Sequence, residues 1–471
     1  MTMTRRDFLS ASAALAAAPA LGAHAWAAPL PRDADIVVIG AGAAGISAAR
    51  RILAANRKVV VVEASGQIGG RCLTDSSTFG VPFDRGARWL HNPETNPMIR
   101  LARAAGLDIA NAPVGQKIRI GRRNARAGET EEFLAALVRA NRAIDDASRG
   151  KADVSCASVL PRELGDWAGT TEFVLGANAT GKDLRDISAV DKARAPDRNN
   201  APIACRQGLG ALMAKLGEQV PVSLSTPASR VGWSNRDVTV ETPSGKIVAR
   251  AAVITVSSNV LTAGGIKFTP DLPKRHLDAA SKLGLGSFDR IALQFSGNPL
   301  GLARDDIVIE QSNSTRTALL FANIGGSSLC SIDVAGSFGR DLSAQGAPAM
   351  EAFAVEWLTK LFGSEIAAAV KKSSATRWNA APFALGAMSV AAPGGQGSRK
   401  ILTEPIGCMF LAGEATHETQ WGTVDGAWES GERAAEAALR RIGALRDEPT
   451  GTTRAPKQRR HAAPVPGAPV R

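Results

Sequence analysis

Apolar and polar positions change period along this chain, and the changes mark its elements. The run Asp35-Ile36-Val37-Val38-Ile39 is apolar after its first residue, and Lys58-Val59-Val60-Val61-Val62 repeats that pattern. Both predict strands. Between them, Gly40 to Gly45 is small and turn-forming, and Ile46 to Asn56 has a helical period. The result is a strand–turn–helix–strand unit that closes at Gly69-Gly70-Arg71. Further on, Phe133, Leu134, Leu137, Val138 and Ile144 recur at helical spacing and predict an amphipathic helix over Glu131 to Ile144, its apolar residues directed to a core. Leu209 to Leu216 predicts another helix. Val222 to Leu224, Val238 to Val240 and Ile247 to Thr255 predict strands, with a turn at Pro243-Ser244-Gly245. Strands and helices continue from about Leu285 to Met388. Met409 to Glu414 reads as a strand running into a turn, and Asp425 to Ile442 as an Ala-rich helix with Arg440 and Arg441 near its C-terminus, where cations are favoured. No internal repeat is visible.

The first turn has the G-x-G-x-x-G spacing between a strand and a helix. Gly40 allows the tight turn, Gly42 lets backbone approach a pyrophosphate, and Gly45 lets helix pack on strand. Ala44 lies within the same turn. The helix N-terminus offers free N–H groups and partial positive charge to phosphates. Glu63, ending the second strand ahead of Ala64, is placed to accept hydrogen bonds from ribose hydroxyls. An acid there disfavours a 2′-phosphate, which points to FAD or NAD over NADP.

Composition adds limits. The chain has 471 residues, 45% hydrophobic, with a formal net charge of +12. That length predicts two or three domains. From Arg446 to Arg471 there are six Lys/Arg against two Asp/Glu, with five prolines and few large apolar residues, which predicts a disordered basic tail. The tail's basic residues are not interleaved with aromatics, which argues against nucleic acid as a partner. Five cysteines include no C-x-x-C pair, and five scattered histidines suggest no metal site. At the N-terminus, Arg5-Arg6-Asp7-Phe8-Leu9 precedes an Ala/Leu-rich stretch and Ala-x-Ala sites at Ala23 and Ala25. This resembles a twin-arginine export signal. The stretch is short and mildly hydrophobic for a membrane span. The expectation is cleavage, a soluble periplasmic product, and no stable membrane insertion.

Taken together, several motifs resemble one family. They are the glycine turn through Glu63, Gly69-Gly70-Arg71, Asp84-x-Gly86-Ala87-x-Trp89-x-His91, the strands from Thr226 to Val256, Trp378 with Gly386, and Ala412-Gly413-Glu414-Ala415-Thr416 through Gly422-Thr423-Val424-x-Gly426-Ala427. The chain resembles the flavin-containing amine oxidases, the group of monoamine, polyamine and L-amino-acid oxidases. The resemblance implies an α/β fold: a Rossmann-like FAD-binding domain built from discontinuous segments, with an inserted α+β substrate domain. The expected division is a signal at 1–27, FAD-binding segments at 33–92, 205–284 and 395–445, substrate segments at 93–204 and 285–394, and the tail at 446–471. It also implies roles. Arg71 would hold the FAD near its pyrophosphate and ribityl chain, with Gly70 in the same turn. Gly86, Ala87, Arg88 and Trp89 would line the flavin. The backbone at Ala228 would meet the adenine. Glu414, after Gly413, would hydrogen-bond the ribityl–phosphate region, and the helix starting at Val424, after Thr423, would face the N1–C2=O edge of the flavin.

The departures from the family fall at the chemistry. Members commonly carry a lysine that holds a water near flavin N5; here Gly284-Leu285-Gly286-Ser287-Phe288-Asp289-Arg290 places Arg290 there. Arg is a planar, permanently charged donor, so the exchange is not conservative. The two aromatic positions that flank the amine in many members match Met388 and Thr423. Ala387 stands where some members carry a flavin-bonded Cys, which implies non-covalent FAD. Trp378 and Trp421 could supply aromatic walls or could be core tryptophans. The expectation is an exported FAD-dependent amine oxidoreductase acting on a small-molecule amine, with Arg290, Trp89, His91, Trp378 and Trp421 as candidates for the reacting face. Reoxidation would be by oxygen or by a periplasmic electron carrier. The alternatives are a dehydrogenase or desaturase of another substrate, and a flavin-binding protein without amine turnover.

Overall fold

The computed structural model describes residues 33–113, 115–195 and 202–445. The expected export signal and the basic tail lie outside them.

The two apolar runs of the first unit form adjacent parallel strands, Asp33–Ile39 and Val59–Val62, in register from Ile36 opposite Val59 to Ile39 opposite Val62. Every residue of Val59–Val62 is buried. A parallel strand covered on both faces needs an unbroken apolar run, which is why neither strand alternates. They sit in an eight-stranded sheet that also contains Val222–Ser223, Gly245–Ile254, Val238–Thr242, Arg230–Trp233, Lys267–Thr269 and Met409–Leu411. Gly245–Ile254 lies parallel to the first strand and to Met409–Leu411, so residues from three distant stretches share the centre of the sheet. The helix Ala43–Ala54 begins three residues earlier than its apolar period suggests, because Ala43, Ala44 and Gly45 of the glycine turn already form its first turn.

The helix Val424–Arg441 packs on Ala43–Ala54 at close range. A Cβ on Gly431 would lie 2.1 Å from the Ala44 carbonyl oxygen. Only glycine permits that approach.

A second sheet has seven strands, in the order Val370–Ala375, Phe288–Phe295, Leu329–Ala335, Leu319–Phe321, Ile307–Glu310, Gln116–Ile120 and Arg123–Asn124. It draws on two stretches of chain separated by much of the first sheet. Its pairings are antiparallel except that between Ile307–Glu310 and Gln116–Ile120. Phe133, Trp167, Phe173 and Phe321 fill a core on this sheet.

The amphipathic helix runs over Ala127–Ser148, longer at both ends than expected. Phe133, Ala136, Ala140 and Ile144 are buried, but Leu134 and Val138 are 53% and 62% exposed, which corrects their assignment to the core. At 3.6 residues per turn they fall roughly 100° and 140° around from Phe133, off the buried stripe. Among the described residues, no helix is long and apolar enough to cross a membrane.

Candidate active site

The three glycines of the first turn meet three different constraints. Gly40 has φ +102°, and a Cβ there would strike Thr255 Oγ1 at 2.4 Å. A Cβ on Gly45 would fall 1.9 Å from the Gly40 carbonyl oxygen, so strand and helix touch there. Gly42 differs: a Cβ would have no neighbour closer than 3.9 Å, the Gly69 carbonyl oxygen and Gly70 Cα. Its missing side chain leaves a backbone-lined groove open. That groove runs to the uncapped N-terminus of Ala43–Ala54, whose first turn holds no acid. Uncapped N–H groups beside bare backbone are what a pyrophosphate requires.

Glu63, 7% exposed, accepts from Ala41 N (2.7 Å), Ser65 N (2.8 Å) and Ser65 Oγ (2.7 Å). A carboxylate has about four acceptor positions, which leaves one for a ribose hydroxyl. Thr226 N donates to the Glu63 carbonyl and brings the loop carrying Ala228 beside this acid. Ala64 follows it, half-buried. These residues fit a dinucleotide.

Arg71 closes the other end. Its guanidinium donates to Glu414 Oε1 (2.9 Å) and to the Ala387 carbonyl. Glu414 also accepts from Ser389 N (3.1 Å), Ser389 Oγ (2.6 Å) and Gly422 N (2.7 Å). Burial works against this carboxylate, but Arg71, Ser389 and Arg399 outweigh it and hold the group below the usual glutamate range. With four donors the carboxylate is saturated. In this arrangement the carboxylate fixes the Arg71 guanidinium at the end of the cradle. Arg71, Val256, Ser257, Gly413, Glu414 and Thr416 line a small cleft here. Gly413, at φ +130°, donates its N–H to Ser430 Oγ at 2.8 Å.

The turn at Gly86 joins this cradle to the second sheet. A Cβ on Gly86 would lie 1.8 Å from the Arg71 carbonyl oxygen and 3.1 Å from the Trp378 ring, and Ala87 N donates to that same carbonyl at 3.0 Å. Trp378 is fixed by Nε1–H to the Arg85 carbonyl (3.0 Å) and by its backbone N–H to Asp289 (2.8 Å). Arg290 is 6% exposed and donates through Nη1 to the carbonyls of Asp84 and Gly86. Its Nε lies 3.5 Å from Asp333 Oδ1. Arg88 reaches the same carboxylate at 3.6 Å, donates to Ser331 Oγ at 3.0 Å, and lies over the Phe321 ring at 4.6 Å. Burial and then the neighbouring Arg290 push the Arg88 guanidinium down to about 10. Trp89 meets Phe321 edge-on at 5.8 Å.

Thus Arg71, Gly86, Ala87, Arg88, Trp89, Arg290 and Trp378 converge. Trp421 does not join them. It is 1% exposed, packed with Cys156, Leu175 and Val390, and Arg399 lies 4.7 Å over its ring. It is a core tryptophan, because the guanidinium and the aliphatic packing leave it no open face. Thr423 caps the helix Val424–Arg441 by accepting from Gly426 N at 3.0 Å. His91 lies beside the first turn of that helix, its N–H donated to Asp425 Oδ2 at 3.1 Å.

Asp333, Ser331, Asp289, Ser389 and Asp425 were not anticipated. A signal existed for Asp333: it is a charged residue in an otherwise apolar or small strand, Leu-Cys-Ser-Ile-Asp-Val-Ala, every position of which is buried.

The chain is similar to several known proteins. Residues 43–439 match the model of the flavin containing amine oxidoreductases, and residues 2–22 match the signal sequence of the twin-arginine translocation pathway. The chain is 27% identical over 459 residues to human lysine-specific histone demethylase 2, covering 86% of this chain and 54% of that protein. It therefore spans about half the length of that relative. It is 27% identical over 445 residues to polyamine oxidase 5 of Oryza sativa subsp. japonica, covering 87% and 88% of the two chains. Among solved structures it resembles cyclohexylamine oxidase from Brevibacterium oxydans IH-35A (TM-score 0.73, 20% identity, 87% and 100% coverage). Putrescine oxidase bound to putrescine gives a TM-score of 0.73 at 18% identity, with 87% and 99% coverage. The chain belongs to the flavin-containing amine oxidoreductases, and its N-terminal signal directs export by the twin-arginine route, to the periplasm in bacteria.

Proposed function

We propose that this chain is an exported, FAD-dependent amine oxidoreductase with non-covalent flavin. The observation that carries the reading is the convergence of Arg71, the Gly86–Trp89 turn, Arg290 and Trp378 at the end of a groove that fits a dinucleotide. In this reading Gly42, Ala44, Gly45, Gly70 and Arg71 hold the pyrophosphate and ribityl chain, Glu63 and Ala64 the ribose, and Ala228 the adenine. Ala387 has no thiol with which to form a covalent link. In this reading the eight-stranded sheet belongs to the FAD-binding segments and the seven-stranded sheet to the substrate segments.

Bound flavin would supply the oxidising chemistry, accepting a hydride equivalent from the carbon next to a neutral amine, and the imine product would hydrolyse in water. The protein's contribution is orientation and electrostatics. Trp89 and Trp378 wall the reacting face. The N-terminal N–H groups of Val424–Arg441 stabilise negative charge at the N1–C2=O edge. Arg290 adds fixed positive charge where relatives use lysine, held by the Asp84 and Gly86 carbonyls and by Asp333. His91 sits one contact back, against Asp425.

Adding a panel of primary, cyclic, polyamine and amino-acid substrates to the anaerobic, flavin-loaded protein tests this. Bleaching of the flavin band by one class supports amine oxidation and names the class. No bleaching by any of them leaves a flavoprotein without amine turnover.

A second reading concerns the electron acceptor. An arginine engaged by two carbonyls and a carboxylate is a poor holder of a mobile water, which favours a periplasmic electron carrier over oxygen; stopped-flow reoxidation with each acceptor separates them.

A further inference from the structure

Asp425 occupies the first turn of the helix Val424–Arg441 and is 1% exposed. One oxygen, Oδ2, accepts the backbone N–H of His91 at 3.1 Å and lies 3.8 Å from His91 Nδ1. The other, Oδ1, is buried without a hydrogen-bond partner. His91 ends the stretch that begins at Gly86, so this one carboxyl ties the turn expected to line the flavin to the helix end expected to face it. An acid in a helix's first turn is ordinarily stabilised there. Here the same charge would sit beside the N–H groups that must favour electron density on the cofactor.

We infer that Asp425 is a positioning residue for the flavin, one that couples its environment to pH by losing and regaining a proton behind the helix N-terminus. The inference rests on reading Val424 as the start of the helix that faces the flavin. When Asp425 is neutral, the helix end acts at full strength. When it is ionised, its negative charge opposes the helix N–H groups and weakens the stabilisation of reduced flavin. Burial pushes the carboxyl up to about 7, against the pull of the nearby Asn96 amide and the His91 N–H, which places the change near neutrality.

The groups that face Asp425 are few. His91 comes from the end of the stretch that begins at Gly86, and Asn96 from the N-cap of the helix Pro97–Ala104. Glu429 lies one turn along the same helix and raises Asp425 further, while its own carboxylate meets His417 Nε2 at 3.0 Å. Cys72 packs nearby, but burial pushes its thiol up to about 12, so it stays neutral across the range concerned.

The test is a pH titration of the visible spectrum of the oxidised, flavin-loaded protein, in wild type, Asp425→Asn, His91→Gln and Glu429→Gln. Asparagine keeps an acceptor for the His91 N–H but cannot ionise. The expected result is a spectral change centred near pH 7 in wild type and in His91→Gln, and a flat response in Asp425→Asn. Glu429→Gln, a change at a part-exposed position, should move the wild-type midpoint to lower pH because it removes a neighbouring negative charge. A flat wild-type titration, a transition that survives in Asp425→Asn, one lost in His91→Gln alone, or a midpoint untouched by Glu429→Gln overturns the inference. Turnover plays no part in this readout, so its failure leaves amine oxidation standing.

Discussion

Arg290 and Asp333 are direct cross-strand partners, one on Phe288–Phe295 and the other on Leu329–Ala335, with Arg290 Nε 3.5 Å from the carboxylate. Strand alternation turns Asp289 to the opposite face, where it accepts from Thr376 Oγ1 at 2.9 Å and from Trp378 N at 2.8 Å. The neighbouring carboxylate in sequence is thus not the counter-ion. Asp333 serves two arginines at once, because Arg88 reaches its other oxygen.

This arrangement gives opposite expectations for its two ends. Arg290→Met keeps a long side chain and removes one positive charge. The flavin midpoint potential should fall and reduction by a substrate amine should slow, each tenfold loss corresponding to about 1.4 kcal/mol. Potentiometry and anaerobic stopped flow on one variant check both. Asp333→Asn instead leaves two buried guanidinium groups without their anion, and chemical denaturation should show a loss of roughly 3–5 kcal/mol.

The glycine turn predicts a separation of folding from binding. Gly45→Ala places a methyl 1.9 Å from the Gly40 carbonyl oxygen, so yield and melting temperature should drop sharply. Gly42→Ala meets no protein atom within 3.4 Å and should fold normally while losing flavin. Thermal melts of the flavin-free proteins, followed by a flavin titration, distinguish them. A Gly42→Ala protein that binds flavin as wild type would show that no phosphate approaches that backbone.

Glu63→Gln should weaken FAD binding more than it harms folding. A charge-assisted hydrogen bond to ribose is worth roughly 1.5–3 kcal/mol, about tenfold to a hundredfold in dissociation constant. Equilibrium titration of the flavin-free variant measures it, and unchanged affinity removes Glu63 from the ribose.

Much of this was legible in the chain because the first unit is local. Asp35 to Arg71 carries its strands, turn and helix in one stretch, and each glycine's role follows from spacing. The charged cluster was not legible, because Arg290 and Asp333 meet only across neighbouring strands of the second sheet, and Arg88 reaches them from the distant Gly86 turn. Glu414 shows the same limit: its motif marks it as a site residue, but its partners Arg71, Ser389 and Gly422 come together only in the folded chain. Trp421 could be placed only by packing, since an aromatic beside a glycine turn suits a cavity wall and a core equally well. Leu134 and Val138 are apolar like the buried residues beside them, but the stripe that packs is completed by Ala136 and Ala140, whose small side chains do not stand out in an apolar pattern.

Export should depend on the arginine pair. Arg5→Lys with Arg6→Lys keeps the charge but removes the guanidinium groups of the matched signal. Precursor should accumulate in the cytoplasm, as fractionation and immunoblotting would show, and wild-type periplasmic yield would refute the dependence.

Glu414 should contribute to the acid sensitivity of the fold. Its folded-state pKa is held below that of a free glutamate, the hydrogen bonds and positive charge of Arg71, Ser389 and Arg399 prevailing over burial. A depressed folded-state value means that the anion stabilises the native state. That contribution is complete above the unfolded value, about 4.3. It is lost as pH falls from there through the lower folded value, because the native state then takes up the proton that the unfolded state already holds. Glu414→Gln should therefore lose stability at neutral pH and show a shallower decline on acidification than wild type, the two curves converging at low pH. Urea denaturation of the flavin-free proteins at a series of pH values measures this. Parallel curves would mean that Glu414 is not a carboxylate whose protonation weakens the fold.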